Sequence, residues 1–206
     1  MAGATRRRGR PPAADARAHR NRVLGAARDC LAEHGYERTT MLAIAHRSGS
    51  SKETLYRWFG DKAGLFRALV EDEGARTVQS LRRHLRADDE PLRVLTDFGV
   101  SLLKLLTGDW SLAANRAAMS SPELAGIVLA NGRHAVGPEV EAYLAELDAR
   151  GVLIVSNPGE AFTLLYGLIV RDTQIRALLG ERSPTPHALR RQAEHGVRVF
   201  YSLHAA

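Results

Sequence analysis

The sequence predicts an all-α protein of about nine helices, on three observations. Apolar residues recur at intervals of three and four, and no β-branched run alternates as a half-buried strand would. Gly, Ser-Pro and Pro-rich breaks then cut the chain into pieces of helical length. With 206 residues it can bury a core without disulfides or metals.

Residues 1–16, rich in Arg, Ala, Pro and Gly and lacking hydrophobic periodicity, read as a disordered basic arm. A first helix is expected from about Asp15 to His34, with Val23, Leu24, Ala27 and Leu31 on one face. Gly35 is placed to end it in a left-handed cap. Thr39 or Thr40 caps a short second helix, whose Met41, Ile44, Ala45 and Ser48 share a face. Ser48-Gly49-Ser50 is a break, Ser51 caps a third helix from Lys52 to Phe59, and Asp61 caps a fourth from Lys62 to about Leu85. Beyond Asp88 the expected helices are Glu90–Leu106, Trp110–Met119, Pro122–Ala149, Pro158–Leu179 and Pro186–His204. Gly137-Pro138 lies inside the third of these, where a kink or break is expected.

The net charge of +6 is unevenly distributed. Residues 1–67 carry 14 Lys and Arg against 6 Asp and Glu, whereas residues 68–206 carry 15 against 17. All the positive excess sits in the first third, as in a segment built to approach a polyanion, nucleic acid or an anionic membrane surface. The single cysteine, Cys30, excludes an internal disulfide framework and a cysteine-rich zinc site. It reads as a buried thiol, with a redox or covalent-ligand role as the alternative. No apolar stretch follows the basic N-terminus, and the longest apolar run, Phe162 to Val170, is closed by Arg171 and Asp172. Neither a signal peptide nor a membrane span is expected, which points to a cytoplasmic protein.

Catalysis finds little support. There is no Gly-x-Ser-x-Gly elbow, no phosphate loop ending in Gly-Lys-Ser/Thr and no His-Glu-x-x-His, and the eight histidines never pair at i, i+4. The expectation is a non-enzymatic protein without cofactor or metal.

The second and third segments have the design of a helix-turn-helix. Ala45 supplies the small side chain where two short helices cross, Gly49 the residue tolerant of positive φ, and Leu55 the apolar plug. Leu55 and Phe59 should face inward, leaving Lys52, Glu53, Tyr56 and Arg57 for solvent or DNA. The third helix's N-terminus, with the Ser51 and Thr54 hydroxyls, suits phosphate oxygens or base edges. Arg57 is a donor for guanine or phosphate, and Lys62 is placed to meet the DNA backbone.

These residues, with Thr39-Thr40-Met41-Leu42-Ala43-Ile44-Ala45 before them and Asp61-Lys62 and Leu65-Phe66 after them, resemble the signature of the tetracycline-repressor (TetR/AcrR) family. The resemblance covers about residues 17–67. It implies a three-helix DNA-binding head over 17–67 and a larger helical ligand-binding and dimerising body over 68–206. It also implies that Thr40 touches phosphate, that Ser51, Lys52, Glu53, Thr54 and Tyr56 enter or border the major groove, and that Trp58 and Lys62 contact the backbone. Two positions depart from the family pattern. Ser50 stands where an apolar residue is usual, and Trp58 where histidine is frequent.

The arm holds Arg6, Arg7, Arg8 and Arg10 in an Arg-Gly-Arg-Pro setting like that of AT-hooks. It would either lie in a narrow minor groove or simply raise general DNA affinity. Dimerisation is expected through the last two helices, where Ala161, Leu164, Leu165, Leu168 and Ile169 form an apolar stripe and Val197, Phe200, Tyr201 and Leu203 crowd the final segment. Candidate effector contacts are Leu102, Leu106, Trp110, Met119, Val128, Tyr143, Phe162 and Tyr166, with Arg116, Asn131, His134 and Arg171 supplying polar groups. Their character favours a hydrophobic or aromatic small molecule. The function expected is a sequence-specific regulator, a repressor released from a palindromic operator by its effector. The alternative is a ligand-independent or architectural DNA-binding protein dominated by its arm.

Overall fold

The computed structural model describes residues 13–85 and 90–205; Arg6, Arg7, Arg8 and Arg10 lie outside them. Eleven helices run through the described residues: α1 Ala13–Arg38, which takes in residues 13–16 of the expected arm and is interrupted at Gly35 (φ 73°, ψ 171°), α2 Met41–Ser48, α3 Lys52–Phe59, α4 Lys62–Leu85, α5 Pro91–Thr107, α6 Asp109–Met119, α7 Pro122–Asn131, α8 Arg133–Ala149, α9 Pro158–Val170, α10 Thr173–Leu178 and α11 Pro186–His204. No strand occurs among them; Leu153 and Ala205 form only an isolated bridge.

The count exceeds nine because two expected helices are each split, the first by bonds local to the break and the second by a side chain from a distant helix. The long segment 122–149 breaks at Gly132, not at Gly137-Pro138. The Gly132 N–H closes α7 on the Val128 carbonyl at 2.9 Å, and its own carbonyl then accepts from Ala135 and Val136 to start α8. Pro138 is tolerated in the second turn of α8, where a missing N–H removes a single ladder bond. Gly137 instead makes room for packing, since a Cβ there would lie 3.3 Å from the Phe162 ring. The segment 158–179 breaks at Arg171, the one non-glycine residue of positive φ among the described residues. There the Gln192 side-chain amide donates to the Ile169 and Val170 carbonyls, taking up acceptors that a continuing helix would have used.

Two hydrophobic clusters result. The body cluster joins α5, α8, α9 and α11 around Leu95, Leu103, Leu144, Leu165 and Phe200. The head cluster packs Val23, Leu24, Ile44, Leu55 and Phe66 together, and it continues into Ala114 and Ala117 of α6 and Leu124 and Ile127 of α7. Head and body therefore share apolar packing rather than meeting only through α4. Arg28 of α1 also pairs with Glu73 of α4 at 2.8 Å, and Arg67 of α4 with Glu123 of α7 at 3.2 Å. At Gly74, α4 approaches α7 closely enough that a Cβ would sit 2.3 Å from the Asn131 carbonyl oxygen.

Candidate nucleic-acid interface

Local hydrogen bonds build the helix-turn-helix. Thr40 caps α2 by accepting from the Ala43 N–H at 3.1 Å. Its neighbour Thr39 is buried and donates to the Gly35 and Cys30 carbonyls, anchoring the turn to the end of α1. Gly49 is left-handed, at φ 64° and ψ 31°, and the Ser50 N–H reaches back to the Ala45 carbonyl at 2.9 Å. That geometry ends α2 sharply, and its positive φ is one that glycine adopts without the strain a side chain would bring. Ser51 caps α3 by accepting from the Thr54 N–H at 3.2 Å, and the two hydroxyls lie 3.0 Å apart.

Burial then sorts the faces of α3. Leu55 and Phe59 are buried in the head, while Ser51, Lys52, Glu53, Tyr56 and Arg57 are exposed and Thr54 is half-buried. Hydrogen bonds from its own backbone N–H and from the Ser51 hydroxyl hold the Glu53 carboxyl below the usual carboxylate range. Lys52 Nζ stands 5.6 Å from the Tyr56 ring. Another cation of the head, Arg47, is turned away into two 2.6 Å bonds with Glu33 of α1. Lys62 is engaged internally. Its Nζ donates to the Tyr36 carbonyl at 3.0 Å and lies 4.2 Å over the Tyr36 ring. Trp58 is half-buried, edge-on to His19 at 4.9 Å and to Phe59 at 6.2 Å. His19 was not singled out by the sequence, because nothing local marks a residue whose partners lie more than 30 positions away.

The candidate effector contacts fall into separate groups. Tyr143 and Phe162 are buried in the body, with Leu102, Leu106 and Tyr166 half-buried around it. Trp110 and Val128 pack on the head cluster, Trp110 being 6.1 Å from Phe66. Arg116 donates to the Ala177 and Leu178 carbonyls, Asn131 to the Ile127 carbonyl, and Met119, His134 and Arg171 are exposed. A residue outside the predicted set, Arg133, spans two of its members. Its guanidinium lies 5.1 Å from the Phe162 ring and 5.0 Å from that of Tyr166. Burial raises the Tyr166 phenol, partly offset by that guanidinium.

On the outer side of α9 an open groove of 750 Å³ is lined by Asn157, Gly159, Glu160, Thr163, Leu164, Gly167 and Leu168. Ala161, Leu165 and Ile169 of the predicted stripe turn inward, and Leu164 and, on α11, Leu203 are exposed. No helix among the described residues is long and apolar enough to cross a membrane.

A short capped helix set at a left-handed glycine turn, with its polar face outward on a basic head, defines a helix-turn-helix protein. Comparison with known proteins gives the family. The family described as bacterial regulatory proteins, tetR family, matches residues 23–69, and that described as AefR-like transcriptional repressor, C-terminal domain, matches residues 93–206. A solved TetR transcriptional regulator from Agrobacterium tumefaciens is 31% identical, covering 91% of this chain and 95% of that one at a TM-score of 0.74. The solved flavonoid-responsive regulator FrrA is 28% identical, covering 91% and 97% at a TM-score of 0.66. Among curated relatives, the HTH-type transcriptional repressor AcnR of Corynebacterium efficiens is 39% identical over 62 residues, which are 30% of this chain and 33% of that repressor. The match thus spans about a third of that relative's length. The chain belongs to the tetR family of bacterial regulatory proteins.

Proposed function

We propose that the protein is a dimeric, sequence-specific transcription repressor, released from a palindromic operator by a hydrophobic or aromatic small molecule. The observation that carries this reading is α3 itself, whose Lys52, Glu53, Tyr56 and Arg57 are exposed while Leu55 and Phe59 root it in the head. Ser51, Thr54 and Thr40 stand at the helix N-termini, where backbone N–H groups favour phosphate. Trp58 and Lys62 flank the recognition face, and Arg6, Arg7, Arg8 and Arg10 extend the positive charge. A second copy covers the α9 groove with its own α9 and α11, setting two recognition helices about 34–36 Å apart or somewhat more.

Release is a change in that spacing. An effector held by the body near Phe162, Tyr166 and Tyr143 shifts α8 and α9, and the shared packing of α4, α6 and α7 carries the shift to α1 and the head. A coupling of about 1–3 kcal/mol is typical and suffices to empty an operator. The effector class draws support from FrrA, whose name describes it as flavonoid-responsive.

The test is selection of bound DNA from a random library at physiological salt, followed by a melting screen of aromatic and aliphatic compounds. A palindromic consensus and a compound that both raises the melting temperature and weakens operator binding are expected. An A·T-rich pool without two-fold symmetry, with no compound stabilising the protein, overturns the reading in favour of an architectural role for the arm.

A further inference from the structure

The recognition helix α3 has eight residues and is rooted in the head by Leu55 and Phe59. Those two side chains lie on one side, so they fix its depth better than its tilt. At 1.5 Å per residue such a helix is about 12 Å long, and a 10° tilt about one end moves the other by about 2 Å. Displacements of that size are enough to spoil base readout, which tolerates about 0.5 Å.

One side chain of α1 holds both ends. His19 Nε2 lies 2.6 Å from Oγ of Ser50, the residue before the α3 cap. The same imidazole stands edge-on to Trp58, the penultimate residue of α3, with ring centroids 4.9 Å apart and planes at 74°. The next residue, Arg20, lies 5.1 Å over the ring of Phe59, the last residue of α3. The apolar core of α1 is made by other residues, Val23, Leu24, Ala27 and Leu31, each 4% exposed or less. His19, Ser50 and Trp58 are all half-buried at the rim of that core.

We propose that His19 is a positioning residue for operator recognition, a clasp that sets the tilt of α3 through Ser50 at one end and Trp58 at the other. It acts on where Lys52, Tyr56 and Arg57 point rather than on whether the head folds. This inference rests on the reading of α3 as the DNA-reading helix, and the experiment separates the two.

The full-length protein is assayed against its selected operator and against unrelated duplex DNA, with melting temperature measured in parallel. His19→Ala is expected to lose about tenfold in operator affinity, in line with one hydrogen bond and one aromatic pair. Its affinity for unrelated DNA should stay near that of the wild type, and its melting temperature should fall by only about 3–6 °C, the fold being kept. His19→Gln, which keeps a donor and acceptor for Ser50 but not the ring contact, should recover part of the loss. Combining His19→Ala with Ser50→Ala should cost less than the two single losses together, because both remove the same bond. Operator binding by His19→Ala at wild-type strength overturns the proposal, as does an equal loss on both DNAs. Additive single losses also overturn it. If His19→Ala does not fold, the ratio of operator to unrelated DNA binding for His19→Gln and Ser50→Ala decides: an unchanged ratio in both overturns the clasp. A wild-type protein that selects no operator overturns the reading of α3 and this proposal together.

Discussion

Replacing Gly74 with alanine tests how firmly α4, the helix that continues from head into body, is held against α7. A Cβ on Gly74 would meet the Asn131 carbonyl oxygen at 2.3 Å, its Cβ at 3.1 Å and its carbonyl carbon at 3.2 Å. Since Cβ contacts essentially never fall below 3.0 Å, the helices must separate by roughly 0.7 Å or more. The obstructing oxygen belongs to the backbone, so no rotamer change relieves the clash. Overpacking of this kind costs about 1–3 kcal/mol, against about 0.4–1 kcal/mol gained when alanine replaces a helical glycine. The net loss is about 0–2.6 kcal/mol, or a fall of up to about 10 °C in melting temperature for a protein of this size. Gly126, on the facing helix α7, is the control. A Cβ there meets nothing within 4 Å, so Gly126→Ala should raise the melting temperature by about 1–4 °C. Scanning calorimetry at one fixed protomer concentration reads both, since the melting of a dimer depends on concentration. Gly74→Ala should also weaken operator binding, because α4 carries the head. Should Gly74→Ala melt as high as Gly126→Ala, the α4–α7 approach is not a tight constraint and the coupling argued from it fails.

Arg57→Ala should weaken operator binding and broaden the bases accepted at one position of the selected site, seen by repeating the selection with the variant. Lys62→Ala should lower operator affinity and melting temperature together, since its ammonium also holds the Tyr36 carbonyl at 3.0 Å. Deleting residues 1–12 should make the salt dependence of DNA binding shallower by up to about 3–4 per protomer, one counterion contribution for each of Arg6, Arg7, Arg8 and Arg10. A slope unchanged from the wild type means that the arm does not touch phosphate. Burial pushes the Tyr201 phenol up to about 12, and its hydroxyl is buried without a hydrogen-bond partner among the described residues. Tyr201→Phe should therefore leave stability at pH 8 unchanged or higher. The raised value favours the neutral phenol in the fold, so its contribution is complete below pH 10 and is lost as pH rises through 12. Alkaline unfolding of Tyr201→Phe should be correspondingly less steep between pH 10 and 12, followed by circular dichroism.

The sequence by itself determined the pieces whose forces act within four or five residues. Thr40, Gly49, Ser51 and Asp61 are caps and turns made by bonds to N–H or carbonyl groups three to five positions away, and each stands where its residue type predicts. The inward face of α3 and the charged first third were legible for the same reason, since periodicity and charge are properties of short stretches. Tertiary structure decided the rest. Trp110 and Val128 are apolar on any reading, yet that they pack on the head cluster depends on α6 and α7 lying against α1 and α4. The break at Arg171 depends on an amide 21 residues later, Gln192, supplying donors to the end of α9. At Gly137, where the sequence predicts a kink or break, the helix runs on, and Phe162 from another helix packs so closely that a Cβ there would lie 3.3 Å from its ring. His19 gives the clearest case. Its partners, Ser50 and Trp58, are brought to it only when α1 folds across the turn, and the free energy that brings them there comes from the burial of Val23, Leu24, Leu55 and Phe59, not from His19 itself.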